Sequence, residues 1–281
     1  MFKTVPERLP IPASRIKYSF NRPDDFRNVG DKEPDTSHIH YLYEIYVNLS
    51  DDVSFLVNNR LYNLKSGDVI LSSPSDVRVC ILNSLYAHEH FCLRLDCNSP
   101  NQLTDYFDDD DFGNVFKMSG DGKKALLSIL CSLRRADEKG ASQAARTSHI
   151  SEIIELISAQ CHYPWRREYS EIRVPAEIQR VLDYINDNLT ETRHIRNVVD
   201  NTYVSATTLS RWFRKYINVT PHEYIEATKL SHAIRLLNEG MSVTNVCTEA
   251  GFSGCSHFIA VFKKKFGLTP SRYARDSKGL E

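Results

Sequence analysis

MSVTNVCTEAGFSGCSHFIAVFKKKFGLTPSRY, residues Met241 to Tyr273, is the stretch on which the fold of this chain turns. Val243, Val246, Cys247 and Ala250 recur at helical spacing, and Gly251 stops that helix. Ser253 and Gly254 make a short turn, after which a second helix begins near Cys255 or Ser256. On it Phe258, Val261, Phe262 and Phe266 form one apolar stripe, with Lys263, Lys264 and Lys265 around the far end. Gly267 ends this helix, and Thr269-Pro270 caps and starts a last short one. Helix, tight glycine turn and second helix with a cationic end is the helix-turn-helix layout.

The layout occurs twice. Ile195 to Thr202 (IRNVVDNT) reads as a first helix, and Ser205 as the N-cap of a second carrying Leu209, Trp212, Phe213 and Tyr216. RWFRKYINVTPHEY (Arg211 to Tyr224) and AVFKKKFGLTPSRY (Ala260 to Tyr273) are two copies of one unit. A long helix, Glu223 to Asn238, joins them, and an opening helix, Ala176 to Leu189, buries Ile178, Val181, Leu182 and Ile185. Two such units on one long helix resemble the DNA-binding domain of the AraC/XylS family of bacterial transcription regulators, over Ala176 to Arg275. The pattern AGFS-x4-F-x3-FKKKFG-x-TP-x2-Y, Ala250 to Tyr273, carries that resemblance.

Composition is consistent with this reading without demanding it. The 281 residues have room for two ordinary domains, and 41% hydrophobic with 25% charged residues excludes a disordered chain. No apolar run approaches the roughly 20 residues that span a bilayer. MFKTVPERLPIPASR has no apolar signal-peptide core, so a cytoplasmic location away from membranes is expected. The seven cysteines, Cys80, Cys92, Cys97, Cys131, Cys161, Cys247 and Cys255, are scattered without a C-x-x-C pair. That argues against a disulfide framework or a zinc knuckle. Net charge is −1, but from Pro175 onward 6 Lys and 8 Arg outweigh 4 Asp and 7 Glu. The positive part holds the repeat, as attraction to phosphate requires.

Between His38 and Asp96 the sequence changes to short β-rich runs broken by turns. Strands are expected at Ile16–Phe20, Tyr43–Leu49, Val53–Val57, Arg60–Leu64, Asp68–Leu71, Val77–Leu82 and Glu89–Leu95, with turns at Asn58-Asn59 and Lys65-Ser66-Gly67-Asp68. So many short strands point to a β-sandwich or small barrel. The order of strand, hairpin, Gly-Asp turn and proline loop resembles the cupin-type sensor domain of many AraC-family regulators. The expected fold is α+β. A cupin-like barrel with two following helices (1–162) and a linker (163–175) precede an all-α DNA-binding domain (176–281).

His38-x-His40-x3-Glu44 matches the spacing that gives cupins three metal ligands, because alternate strand residues share a face. The fourth ligand of that family is a histidine after the proline loop. Here Arg78 stands about there, and a permanent cation cannot ligate. A metal-dependent cupin enzyme fused to a DNA-binding domain stays open as the alternative. The leading expectation has no catalytic residue, metal or cofactor. In it His38, His40, Tyr43, Glu44, Arg78 and Arg94 supply polar groups to an effector pocket, with Arg78 suited to an anionic or polyhydroxyl ligand.

Asp105 to Asp111 (DYFDDDD) reads as a solvated acidic loop. Helices Lys123–Lys139 and Gln143–Cys161 follow. Their counterparts in the family form the dimer interface, so a homodimer through 143–161 is expected. Tyr163 to Pro175, with two prolines and a run of charges, reads as the linker.

A reading helix keeps its stripe in the core and its other face free for base edges. In the first unit that leaves Ala206, Thr207, Ser210, Arg211 and Arg214, with Arg211 the candidate for a bidentate contact to guanine. In the second it leaves Ser256, His257, Ile259 and Ala260, with Lys263 and Lys264 near phosphate. Ala260 stands where family members often carry Arg or Lys, so the second helix is expected to read few bases. Thr202-Tyr203 replaces the usual turn glycine, so the first turn is expected to be less regular. The family resemblance implies an activator controlled by a small molecule, with double-stranded DNA and RNA polymerase as partners.

Overall fold

The computed structural model describes residues 16–21, 37–38, 43–51, 53–73, 76–82, 89–95, 115–118, 120–161, 174–192, 195–217 and 219–278. Strands come first: β1 (Ile16–Asn21), β2 (Ser37–His38), β3 (Tyr43–Asn48), β4 (Val53–Val57), β5 (Arg60–Leu64), β6 (Val69–Ser72), β7 (Arg78–Leu82), β8 (His90–Leu95) and β9 (Val115–Phe116). Helices follow: α1 (Gly120–Glu138), α2 (Gln143–Cys161), α3 (Ala176–Asp187), α4 (Ile195–Thr202), α5 (Ala206–Tyr216), α6 (Pro221–Asn238), α7 (Val243–Glu249), α8 (Cys255–Phe266) and α9 (Pro270–Lys278). No described helix is long and apolar enough to cross a membrane.

The strands form two antiparallel sheets, ordered β1-β8-β3-β6-β9 and β2-β7-β4-β5. Among the described residues no strand pairing joins one sheet to the other, and the described strands form two facing sheets. Period-two alternation then sorts the side chains into three layers. Ile45, Val47, Val69, Leu71, Phe91 and Leu93 leave the first sheet outward and meet Leu126, Leu130 and Leu133 of α1 with Ile150, Ile153 and Ile157 of α2. Tyr46, Phe55, Tyr62, Leu64, Ile70 and Cys92 fill the space between the sheets. Leu56, Leu61, Val77, Val79 and Ile81 leave the second sheet outward and join the core of the helical region. The second sheet is thus covered on both faces, which is why β4 reads VSFLV and is buried throughout.

Local signals place most boundaries. Asn58 (φ 44°) and Asn59 (φ 74°) both take the left-handed conformation that a two-residue hairpin turn requires. Helix α6 begins at Pro221, before the expected Glu223, because Thr220 and Glu223 form a reciprocal capping box with proline in the first turn. Helix α3 stops at Asp187, before the expected Leu189, where the Asn188 backbone N–H and Nδ2 both bond back to the Tyr184 carbonyl. Strands β2 and β9 have no counterpart among the expected strands, since two residues show no periodicity. The acidic run Asp105–Asp111 and residues 163–173 of the linker lie outside the described residues.

The apolar stripe of α2 covers the first sheet. Ile150, Ile153 and Ile157 are spent inside the chain, against α1 and the first sheet. Tyr18 Oη donates to Asp137 at 2.7 Å, and Arg134 lies 4.9 Å from the Phe20 ring, so β1 is tied to α1 as well.

Candidate functional site

Helix α6 is the axis of the helical region. Tyr224, Ile225, Ala227, Thr228, Leu230, Ala233, Ile234, Leu236 and Leu237 bury nearly its whole circumference, as a helix enclosed by neighbours must. The first unit, α4 and α5, joins this core through Leu209 and Phe213, the latter edge-on to Tyr224 at 5.6 Å. The second, α7 and α8, joins it through an aromatic ladder. Phe252–Phe258, Phe258–Phe262, Phe262–Phe266 and Phe262–Tyr273 have centroids 4.9, 5.7, 4.5 and 5.8 Å apart. Tyr273 Oη then donates to Asn238 Oδ1 at 2.8 Å, anchoring α9 to the end of α6. These rings are core, not platforms for bases.

Burying those stripes fixes the rotation of both second helices and so decides what they present. Ala206, Thr207, Ser210, Arg211 and Arg214 of α5 are all exposed, and so are Ser256, His257, Ile259, Ala260, Lys263 and Lys264 of α8. Among the described residues no salt bridge engages Arg211, Arg214, Lys263 or Lys264, which leaves four cations for an outside partner.

The turns inside the two units differ. In the second, the Gly251 N–H bonds to the Thr248 carbonyl and the Phe252 N–H to the Cys247 carbonyl, a complete Schellman cap with Gly251 at φ 74°. Lys229 Nζ, buried on α6, donates to the Gly251 carbonyl at 2.7 Å. In the first unit the left-handed residue is Tyr203, at φ 58° and 95% exposed. If Arg211–Tyr224 is matched to Ala260–Tyr273, Gly251 falls opposite Thr202, so the bend comes one residue later in the first unit. The irregular first turn expected from Thr202-Tyr203 is present.

A second polar constellation sits between the sheets. Glu44 is 3% exposed, and Arg78 Nη1 donates to its Oε1. Arg94 Nε donates to Oε2 at 2.9 Å. Glu44 and Arg94 are register partners on β3 and β8, while Arg78 reaches across from the opposite sheet. Ser72 is the register partner of Glu44 on β6. Arg78 Nε, Arg78 Nη2 and Ser72 Oγ are buried with no hydrogen-bond partner. Leaving a buried donor unsatisfied costs roughly 1–3 kcal/mol, and more when it is charged. Burial raises the Asp76 carboxyl above its usual range, opposed by bonds from Asn58 Nδ2 at 2.5 Å and the Ser73 N–H at 2.6 Å. Burial also pushes the Cys80 thiol up to about 12.

The expected pocket is therefore brought together in part. Glu44, Arg78 and Arg94 meet. Tyr43 does not join them: alternation on β3 turns it toward α1 and α2, on the opposite side from Glu44. His38 pairs in register with Arg78, and His40 lies outside the described residues. With two guanidinium groups on its oxygens, Glu44 is engaged as a counter-ion, and no described group of His, Cys, Asp and Glu could hold a metal. Ser72 escapes a reading of the sequence because its place opposite Glu44 depends on strand pairing, which no local pattern reveals.

The two constellations are linked through the second sheet. On β7, Arg78 and Cys80 point inward, while Val79 and Ile81 point into the helical core. At the hairpin beside it, Asn59 Nδ2 donates to Asp183 Oδ1 of α3 at 2.5 Å, and Gln179 Nε2 to the Asn59 carbonyl at 3.3 Å.

Residues 198–276 match the model of a helix-turn-helix domain. The melibiose operon regulatory protein of Escherichia coli K12 is 23% identical over 266 residues, 86% of this chain and 84% of that protein. The HTH-type transcriptional activator RhaS of Pectobacterium carotovorum is 24% identical over 243 residues, 83% of this chain and 85% of that protein. Among solved structures, ToxT from Vibrio cholerae aligns over 92% of this chain and 98% of its own, at 14% identity and a TM-score of 0.37. With two helix-turn-helix units on one buried helix, the chain is similar along most of its length to transcription regulators of the AraC/XylS type.

Proposed function

We propose that this chain is an activator of transcription that reads its operator with α5 and α8 and is controlled by a small molecule held between the two sheets. The observation that carries the reading is the pair of exposed second helices, each with unpaired cations, held by one buried axial helix. Arg211 donates to guanine from the first unit, with Thr207 and Ser210 on neighbouring base edges and Arg214 on phosphate. Ala206 lets α5 approach the groove. Ser256, His257, Ile259 and Ala260 give α8 shape and a few hydrogen bonds, while Lys263 and Lys264 meet phosphate. A single rigid α6 sets the two helices into successive major grooves on one face, about 34 Å apart, with some bending of the duplex.

The N-terminal cupin-like part, 1–162, senses the effector, 163–175 links, and 176–281 binds DNA in the cytoplasm. Strand β7 is the conduit, since one face carries Arg78 and the other packs on the helical core. A ligand that shifts Arg78 shifts Val77 and Val79 with it. A homodimer through α2 uses its exposed side, around Ser151, Glu152 and Glu155, since the isoleucine stripe is already covered. RNA polymerase is the partner recruited.

Occupancy of the purified protein on sheared genomic DNA from its host tests the reading. Sharp peaks beside a few operons are expected. A flat profile with every effector candidate tried would sink it.

A further inference from the structure

We infer that the cluster between the sheets is a recognition site for an organic monocarboxylate, bound by the free edge of Arg78. This rests on reading the N-terminal part as an effector domain, and it names the class of effector.

A guanidinium presents its donors along defined edges. Arg78 spends Nη1 on Glu44, and the two nitrogens it has left, Nε and Nη2, share one edge. Their N–H groups run parallel, at the separation of two carboxylate oxygens, which is the bidentate arrangement. Arg78 is 3% exposed, so water does not satisfy that edge from outside. Ser72 Oγ, on the strand beside Glu44, is buried and equally without a partner, and offers a hydroxyl to the same acid. Buried polar groups in native proteins are nearly always satisfied, and three unsatisfied atoms around one ion pair ask for a ligand.

Charge and access narrow the class. Two arginines face Glu44, leaving those three groups one positive charge over. One carboxylate balances that charge, whereas a phosphate dianion overbalances it. Arg94 has 33% of its side chain exposed, so the cluster runs from the interior to solvent. Tyr46, Phe55 and Tyr62 form the adjoining wall, which suits an apolar body behind the carboxylate.

The test uses the full chain with acetate and benzoate as probes, and with acetamide and inorganic phosphate as controls at matched ionic strength. The 1H–15N resonance of Arg78 Nε, assigned with Arg78→Lys, is followed together with Tm. Ser72→Ala, which keeps the Glu44 pair, carries the affinity comparison. Expected are a saturable shift of Arg78 Nε and a rise in Tm with acetate or benzoate, neither with acetamide, and several-fold weaker binding in Ser72→Ala. Silence toward both carboxylates, or a response to phosphate in their place, overturns the proposal. Genomic occupancy measured on the same preparation separates the two readings: intact peaks without a carboxylate response sink this inference alone.

Discussion

The two helix-turn-helix units are copies in sequence, yet they solve the same turn differently. In the second unit the left-handed position is Gly251, and a Cβ there would overlap the Leu189 carbonyl oxygen and lie 2.9 Å from Thr190 Cα. In the first it is Tyr203, whose side chain stands in solvent. One turn is wedged against the backbone that follows α3; the other faces outward. Glycine is thus demanded in the second unit by packing as well as by conformation, whereas in the first only conformation resists a side chain. The second helices differ in the opposite sense. α5 is capped by Ser205, which accepts from the Thr208 N–H at 3.2 Å, and presents two arginines. α8 starts at Gly254 without a side-chain cap and presents Ile259 and Ala260. The unit with the stricter core has the blander exposed face, and under the proposed function the second unit is chiefly a scaffold while the first carries the sequence reading.

Substitutions in both units test that division. Gly251→Ala should do the most damage, because it adds left-handed strain of about 1–2 kcal/mol to overpacking of about 1–3 kcal/mol. Denaturant unfolding should show a loss of several kcal/mol by those terms; a loss below about 1 kcal/mol would mean that the turn can move away from Leu189. Arg211→Ala should cost about 1–3 kcal/mol of binding to the operator, with little change on random DNA at the same salt. His257→Ala should cost clearly less. Equal losses on operator and random DNA, or a larger loss at His257, would reverse the roles of the two units.

The remaining two effects are smaller. Ser205→Ala should remove about 1 kcal/mol through the lost cap, measurable as a lower denaturation midpoint with an unchanged slope. Tyr203→Gly should stabilise the fold by about 0.5 kcal/mol, the left-handed strain relieved less the entropy that glycine adds to the unfolded chain. If it destabilises instead, Tyr203 is making contacts that its exposure does not suggest.

Much of the helical half is legible in the residues themselves. Each helix of the two units follows from apolar spacing closed by a cap or a glycine, and Gly251, Gly267 and Ser205 behave as their residue types require. The exposure of Arg211 and Lys263 follows too, because Leu209 and Phe262 fix which face is buried. The Asn58-Asn59 hairpin is equally local.

What the residues determined alone is whatever depends on neighbours within a turn or two: helix starts and stops, strand periodicity, and the repeat that identifies a two-unit DNA-binding region. What tertiary structure decided depends on strand pairing and on contacts between distant segments. It set Ser72 beside Glu44, brought Arg78 across from the opposite sheet, and turned Tyr43 away toward the helices. It also spent the stripe of α2 inside the chain and laid the outer face of the second sheet against the helical core. The reason is physical. Hydrogen bonds along a helix close within four residues, so their pattern is written locally. A sheet joins residues dozens apart in the chain, and the side chains that meet across it are set by a register that no single strand contains.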